Sequence, residues 1–281
     1  MTEILIYPTF TSWQSAAREL LQKEIPPSEI IWRERTAAQR SLFAPTPSSS
    51  SRPQSGPQDA TEWRDLHSDH PIITVPKSFL DLARRVSRHR DQRRWTLLYS
   101  VLWRILHQNR NLLSIRVDDE VSRLLRLHWE VGSDAHRMKA LLRFRKVREH
   151  DHDVYIAWYK PDHDVVPIVA PHFTDKFATM HWVILTPDCC AHWDTHELRF
   201  SPGVDSSRAP HDDELEDLWR AFYRSTFNPA RLSPKTMRSE MPVRFWKNLP
   251  EADMIGSAIC DAPKKVKDMI QKTKIGRNTT E

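Results

Sequence analysis

The sequence predicts an α+β fold in which a central antiparallel sheet is flanked by helices and follows a small N-terminal strand-helix-strand unit. Two changes of hydrophobic period support this class. Apolar residues recur at helical spacing between positions 76 and 139, then form short strand-like runs up to position 200, and return to helical spacing from position 212. The short connections between the middle runs predict an antiparallel meander.

Residues 1–35 are predicted to form the small N-terminal unit. "EILIY" is strand-like, Thr11 and Gln14 have the spacing of a capping box, and "EIIW" follows the helix stop at Pro26–Pro27. Residues 36–70 contain "PTPSSSSRPQSGP" and are predicted to be a disordered linker, because Pro and Ser leave nothing to bury. The α+β domain is then predicted over residues 71–275.

Three helices are predicted at the start of this domain. Phe79, Leu82 and Val86 share one helical face, and a second apolar face follows over residues 91–105. A third helix is predicted from about residue 118 to 139, with Gly132 as its weak point.

The sheet is predicted from the stretches "ALLRFRKV", "VYIAWY", "VVPIVA", "WVILT" and "ELRF". From Asp212 a helical face leads to Asn228–Pro229, and Ser233–Pro234 begins the first of the helices that finish the chain.

Composition limits the classes of function. The chain has 281 residues with 11 Trp and 10 Phe, enough for an aromatic-rich core. Its 5 Gly form neither a dinucleotide-binding GxGxxG nor a P-loop, so no nucleotide cofactor is predicted. Three Cys, no apolar run of about 18 residues and an N-terminus unlike a signal peptide predict a reduced cytoplasmic protein without a membrane partner. The net charge of +5 favours a polyanionic partner.

The stretch "TPDCCAHWDTHEL" gathers several groups that could carry chemistry. His192 and His196 have a zinc-ligand spacing, but Cys189 and Cys190 are adjacent, and adjacent side chains on a strand point to opposite faces. No metal site is therefore predicted, and a hairpin turn is the simpler interpretation. His192 and Asp194 share one strand face, where a carboxylate could orient an imidazole. The Asp and His residues of the loops "HDHD" and "PDHD" (residues 161–164) are interpreted as ordinary polar residues of turns.

Basic residues form two clusters. The first has six arginines between positions 84 and 94, and the second has six basic residues in twelve positions with no acid between them: Arg137, Lys139, Arg143, Arg145, Lys146 and Arg148. Such runs are often solvated faces, but the second one spans a predicted helix end and a strand, which suits contact with a phosphate backbone.

Several stretches carry a resemblance to a known family: "HRMKALLRFR", "YIAWYKPDH", "WVILTPDCCAHWD", "LEDLWRAFYRSTFNPARL" and "MPVRFWKNLPEA". With them, residues 76–261 resemble a bacterial DNA-metabolism family, domain of unknown function 4130. The resemblance implies a domain without an established activity that occurs beside a radical-SAM protein bearing a helix-hairpin-helix region, or fused ahead of a uracil-DNA glycosylase. No glycosylase motif and no C-x3-C-x2-C signature appears in this chain, so neither catalysis is assigned to it.

The residues that match the family's pattern are His136, Arg137, Lys139, Arg143, His163, Asp188, His192, Trp193, Asp194, Asn228, Arg231, Lys247 and Asn248. Cys189–Cys190 stands where the family typically has Gly-Ser, and His172 and His181 are also departures, so no family chemistry is expected from them.

We therefore expect an accessory protein of DNA repair or DNA modification that works with a radical-SAM protein or a uracil-DNA glycosylase. Its expected contacts with nucleic acid are Arg137, Lys139, Arg143, Arg145, Arg231 and Lys247. Asp188, Trp193, Asn228 and Asn248 are expected to be structural or turn residues.

Two other functions stay open. One is a nucleic-acid-processing enzyme with His192 and Asp194 as base and orienter, joined by His136 or His163. The other is a protein-protein adaptor whose charge keeps it soluble.

Overall fold

The computed structural model describes residues 1–35, 73–149, 152–205 and 241–249. The chain divides into two compact units, Met1–Ser133 and Asp134–Glu281. The predicted linker, and the helices predicted between residues 212 and 240 and beyond residue 249, lie outside the described residues. None of the helices in the described part of the chain is both long and apolar enough to cross a membrane.

The first unit begins with the predicted strand-helix-strand arrangement. Strands β1 (Thr2–Ile6) and β2 (Ile30–Glu34) pair in parallel, and α1 (Phe10–Gln22) connects them. The helix cap lies two residues before the predicted one, because Thr9 Oγ1 accepts a hydrogen bond from the Ser12 backbone N–H.

Three longer helices complete the first unit and confirm the helical period in the sequence. They are α2 (Lys77–Val86), α3 (Arg94–His107) and α4 (Asp119–Leu141), which continues through Gly132 without a break. Their apolar faces share one core with the N-terminal strands and helix. Trp13 stacks on Trp95 at 6.3 Å between ring centroids, so aromatic side chains fill the centre of this unit.

The second unit begins within α4, at Asp134, and contains a five-stranded sheet. Its strands are β3 (Arg145–Glu149), β4 (His152–Trp158), β5 (His181–Leu185), β6 (Cys189–Trp193) and β7 (Leu198–Pro202), paired in chain order. The mixed α and β composition and the flanking helices are as predicted.

Two details of the predicted sheet are wrong. "VVPIVA" is not a strand but the start of α5 (Val166–Lys176), which has Pro167 in its first turn and buries Val166, Val169, Ala170 and Phe173 at helical spacing. Because this helix connects β4 to β5, those two strands run parallel, so the sheet is mixed rather than antiparallel throughout.

The start of the sheet also differs from the sequence prediction. Leu142 and Phe144 precede β3 instead of alternating within it, and both are buried. Phe144 makes edge-to-face contacts with Phe173 of α5 and with Phe177, both at 5.6 Å between centroids, and meets Trp182 of β5. This aromatic cluster covers one face of the sheet with α5.

The end of β7 lies tightly against the turn between β5 and β6. Val204 N–H donates to the Thr186 carbonyl at 2.9 Å. A Cβ atom added at Gly203 would lie 2.0 Å from the Pro187 carbonyl oxygen, so only glycine fits at this close approach.

Candidate functional site

A buried carboxylate ties α4 to the loop that follows β4. Asp134 has no exposed surface, and its Oδ2 accepts hydrogen bonds from the backbone N–H groups of Asp162 at 2.8 Å and His163 at 2.9 Å. Burial raises the pKa of Asp134, and the hydrogen bond from His163 opposes that effect. The carboxylate therefore acts as an internal anchor for this loop.

Two guanidinium groups meet at the Asp162 side chain. Arg137 Nη2 lies 3.4 Å from Asp134 Oδ1 and 3.4 Å from Asp162 Oδ2, and Arg244 Nη2 pairs with the same Asp162 oxygen. The side chains of Asp162 and Arg244 are 35% and 52% exposed, whereas that of Arg137 is 19% exposed. The charges thus extend from a buried carboxylate to an arginine that solvent can reach.

Tyr159 lies beside these charges with its hydroxyl buried. The residue is 2% exposed, and among the described residues no hydrogen-bond partner is found for its hydroxyl. Burial raises the pKa of Tyr159, and the charge of Asp134 adds to that effect, so the phenol stays neutral. Its ring stacks on Phe245 at 5.1 Å with planes 8° apart, and the Arg244 guanidinium lies over Phe245 at 4.7 Å.

We call Asp134, Arg137, Tyr159, Asp162 and Arg244 the Asp162 cluster. Paired guanidinium groups are the usual protein partners of carboxylates and phosphates, because their fork of donors matches two oxygens. A buried hydroxyl without a partner is uncommon in a folded protein and marks a place where a further polar group could be accommodated. The arrangement is suited to binding an anion.

The sequence prediction identified only part of this cluster. Arg137 was predicted to contact nucleic acid, and "PDHD" was interpreted as turn polarity, but Asp134, Tyr159 and Arg244 were not singled out. The sequence did contain a signal that Asp134 is buried. Asp134 lies in line with the buried residues Val131 and Met138 on the apolar face of α4. An acid on an apolar helix face needs a partner.

The structure gives His192 and Asp194 different partners. His192 Nε2 and Ser201 Oγ form a hydrogen bond of 2.7 Å across β6 and β7, and burial lowers the pKa of His192. Asp194 follows the end of β6, where its carboxylate accepts hydrogen bonds from the backbone N–H groups of Glu197 at 2.7 Å and His196 at 3.0 Å. These hydrogen bonds lower the pKa of Asp194.

His136 and His163, the other two catalytic candidates, lie at different places in the second unit. His136 is exposed on α4, and His163 follows β4, where its backbone N–H is bound by Asp134.

The two cysteines belong to a hairpin, as predicted. β5 and β6 are antiparallel and the turn between them contains Pro187 and an exposed Asp188. Thr186 Oγ1 donates to the Cys189 carbonyl at 2.7 Å and accepts from its N–H at 3.2 Å, which closes the turn. Cys189 and Cys190 open β6, so their side chains point to opposite faces of the sheet.

Trp193 ends β6 with a structural contact. Its indole N–H donates to the Ala178 carbonyl at 3.0 Å.

The second basic cluster is partly engaged in the fold. Arg143 Nη1 donates to the carbonyl oxygens of Ala140 at 2.7 Å and Leu142 at 3.2 Å, next to the C-terminus of α4, and Lys146 pairs with Asp153 at 3.0 Å. Lys139 and Arg145 are partly exposed. Lys247 and Asn248 lie in the helical turn Val243–Asn248, whereas Asn228 and Arg231 lie outside the described residues.

The first basic cluster makes several contacts within its own unit. Its ion pairs include Arg84–Asp81 at 3.1 Å, Arg93–Asp91 at 3.2 Å and Arg94–Glu34 at 2.6 Å. The positions of these three arginines are explained by ion pairs within the fold, without a ligand.

Comparison with known proteins gives one match. The family described as Domain of unknown function (DUF4130) matches residues 92–251, which include the whole Asp162 cluster as well as His192 and Asp194. No curated protein and no solved structure matches the chain. Because the matched segment is more than half of the chain, this protein belongs to the DUF4130 family.

Proposed function

We propose that this protein is an accessory protein of DNA repair or DNA modification, and that its second unit binds nucleic acid. The observation that carries the proposal is the acid-free basic run from Arg137 to Arg148, which extends from the last turns of α4 into β3. The run itself contains no acidic residue, and in the fold Arg137 is paired with Asp134 and Asp162 and Lys146 with Asp153.

The contacts of the run support the same proposal. Arg143 is held by two backbone carbonyls, and a side chain that is already held loses less conformational entropy when it binds. Lys139 and Arg145 flank it with partly exposed side chains. The net charge of +5 adds a long-range attraction for nucleic acid.

The expected partner is a radical-SAM protein with a helix-hairpin-helix region, or a uracil-DNA glycosylase. This part of the proposal rests on the family resemblance in the sequence. Affinity purification from the native cell, followed by mass spectrometry of proteins and crosslinked nucleic acid, should recover one of these two partners. Recovery of unrelated proteins without nucleic acid would instead favour the adaptor hypothesis.

Salt-dependent binding tests the nucleic-acid part directly. The double variant Lys139→Gln/Arg145→Gln should bind duplex DNA more weakly, and the slope of log affinity against log salt should fall by about 0.9 for each phosphate that the variant no longer neutralises. The double variant Arg84→Gln/Arg199→Gln is the matched control, because both are exposed arginines already paired with acids, Arg84 with Asp81 and Arg199 with Glu197. Absence of any affinity for single-stranded or duplex DNA at low salt would refute the proposal.

One contact keeps the enzyme hypothesis open as a second candidate. The hydrogen bond between His192 and Ser201 joins a hydroxyl to an imidazole whose lowered pKa favours the neutral form, which is how a base activates a nucleophile. Incubation of labelled oligonucleotides with the wild type and with Ser201→Ala tests it. Cleavage by the wild type that is abolished in Ser201→Ala supports this candidate, and an intact substrate in both reactions removes it.

A further inference from the structure

We propose that Arg137 and Arg244 bind one phosphate group of the nucleic acid, and that the Asp162 carboxylate occupies this phosphate site until the ligand displaces it. The inference rests on the proposed nucleic-acid binding and assigns it a specific site. The chemical class of the ligand is a phosphate, either a backbone phosphodiester or a terminal phosphomonoester.

The position of Arg244 is the first argument. Its guanidinium makes a cation–π contact with the ring of Phe245, and that ring is itself stacked on Tyr159. The two aromatic rings therefore hold the guanidinium in position. With 52% of its side chain exposed, it can meet a ligand from solvent without being released from a buried position. Arg244 is therefore both positioned and accessible.

The geometry of Arg137 is the second argument. Its Nη2 atom is shared between Asp134 and Asp162, 3.4 Å from an oxygen of each, which is longer than the 2.7–2.9 Å or so of a strong charge-assisted hydrogen bond. A phosphate oxygen at normal hydrogen-bond distance would improve on this contact.

The attachment of Asp162 allows its side chain to leave while the loop stays in place. Asp134 holds the loop through the backbone N–H groups of Asp162 and His163. Rotation about the Asp162 side-chain bonds breaks neither of those hydrogen bonds. The carboxylate, which is 35% exposed, can thus turn toward solvent, and the ion pairs that it gives up with Arg137 and Arg244 are replaced by the contacts of those arginines with the phosphate.

The Tyr159 hydroxyl is an independent observation that points to a ligand. It is a neutral donor in a residue that is 2% exposed, and no partner for it is found among the described residues. It also lies close enough to the two arginines and the two aspartates to be influenced by all four charges. A phosphate oxygen between the arginines would be an acceptor for this hydroxyl.

The test compares single substitutions in the full-length chain, using single-stranded oligonucleotides with a 5′-hydroxyl or a 5′-phosphate. Asp162→Asn should tighten binding by about tenfold, because the internal competitor loses its charge. Arg244→Gln should weaken binding by about tenfold and lower the salt slope by about 0.7. Tyr159→Phe should weaken binding by about threefold while keeping the ring stacked on Phe245.

Matched controls separate this site from general charge effects. Asp81→Asn also removes one exposed acid, which is paired with Arg84, and Arg199→Gln removes one exposed arginine, which is paired with Glu197. Both should leave affinity within about twofold. Thermal unfolding verifies folding, and Tyr159→Phe should be no less stable than the wild type, since its hydroxyl forms no bond within the described residues.

The outcomes distinguish the inference from the function on which it rests. If wild type and all variants bind DNA equally with a normal salt dependence, the inference is overturned and nucleic-acid binding stands. If Asp162→Asn gains no more affinity than Asp81→Asn, the carboxylate is not a competitor and the inference is also overturned. If no protein binds DNA, both fail.

The two oligonucleotides identify the source of the phosphate. Equal losses in Arg244→Gln on both probes indicate a backbone phosphodiester, and a loss confined to the 5′-phosphorylated probe indicates a terminal phosphate.

Discussion

The two units use arginine in opposite ways. In the first unit Arg94 is 5% exposed and each of its three guanidinium nitrogens donates to an oxygen: Nε to the Ser87 carbonyl at 2.9 Å, Nη1 to the Asp91 carbonyl at 3.0 Å and Nη2 to Glu34 at 2.6 Å. In the second unit Arg137 contacts its two acids at 3.4 Å, and Arg244 is half exposed. Saturated arginines such as Arg94 hold a fold together, whereas a solvent-exposed arginine such as Arg244 can still bind a ligand.

The carboxylates show the same contrast. Hydrogen bonding to Arg104 lowers the pKa of Asp118 to about 2, with contacts of 2.6 and 3.0 Å. Asp134 has the opposite shift, because burial outweighs its hydrogen bonds and its ion pair with Arg137. The first unit therefore stabilises the charged form of its acid, whereas the second unit disfavours it.

The largest effect is expected from Arg94→Ala. This change leaves Glu34 with the Trp95 indole N–H as partner but without its counter-charge, and should lower the free energy of unfolding of the first unit by about 3–5 kcal/mol. Hydrogen exchange of the α3 amides measures it. Arg93→Ala, at an exposed ion pair in the same cluster, should cost less than about 1 kcal/mol. Equal losses in both variants would contradict the distinction between saturated and exposed arginines.

The next largest effect is the change in stability when one glycine from each unit is replaced by alanine. Gly203→Ala would force a Cβ atom against the Pro187 carbonyl and should destabilise the second unit by about 3 kcal/mol. Gly132→Ala meets only the end of the Arg85 side chain, at 3.4 Å, and should stabilise α4 by about 0.5–1 kcal/mol. Thermal unfolding of both variants tests the pair, and a stable Gly203→Ala would disprove the close packing of β7 on the hairpin.

A smaller effect is a pH dependence of opposite sign in the two units. Asp118 has a folded pKa below its ordinary value of 3.8, so its contribution is present above that pH and is lost as pH falls toward about 2. Asp134 has a folded pKa above 3.8, so its contribution is present below that pH and is lost as pH rises through the folded value.

Urea unfolding of Asp118→Asn and Asp134→Asn at pH 3, 4 and 7 measures this contrast. Asp118→Asn should lose more stability relative to wild type at pH 7 than at pH 3. Asp134→Asn should improve relative to wild type between pH 4 and pH 7. The same trend in both variants would show that the two carboxylates do not differ as described.

The smallest effect is expected at the cysteines of β6, which lie outside the Asp162 cluster. Cys190 is buried and Cys189 is half-buried, and the Sγ atom of each contacts a nearby backbone carbonyl at 3.7 Å. Alkylation of the folded Cys260→Ser variant, in which Cys189 and Cys190 are the remaining cysteines, should leave DNA affinity within about twofold. A large loss would mean that the binding surface includes this hairpin.

The helical part of the fold could be predicted because its apolar residues follow the period of the helix that buries them. Phe79, Leu82 and Val86 are all buried in α2. α5 was missed because "VVPIVA" is a short run of apolar and β-branched residues, and such a run does not distinguish a strand from a buried helix.

The candidate site was less predictable, because its contacts are tertiary. Asp134 binds backbone N–H groups 28 and 29 positions further along the chain, and no local pattern encodes that separation. Arg137 could be identified as basic, but the sequence could not show that two acids share it.

The parallel pairing of β4 and β5 has a consequence for the order in which the sheet assembles. β3 with β4, and β5 with β6 and β7, are antiparallel neighbours that can close through short connections. The β4–β5 pair joins these two blocks, and it can form only after α5 has crossed between them. We therefore expect the β4–β5 pair to form last during folding. A cut in the loop that contains Asp162 would then yield two fragments capable of reassociating.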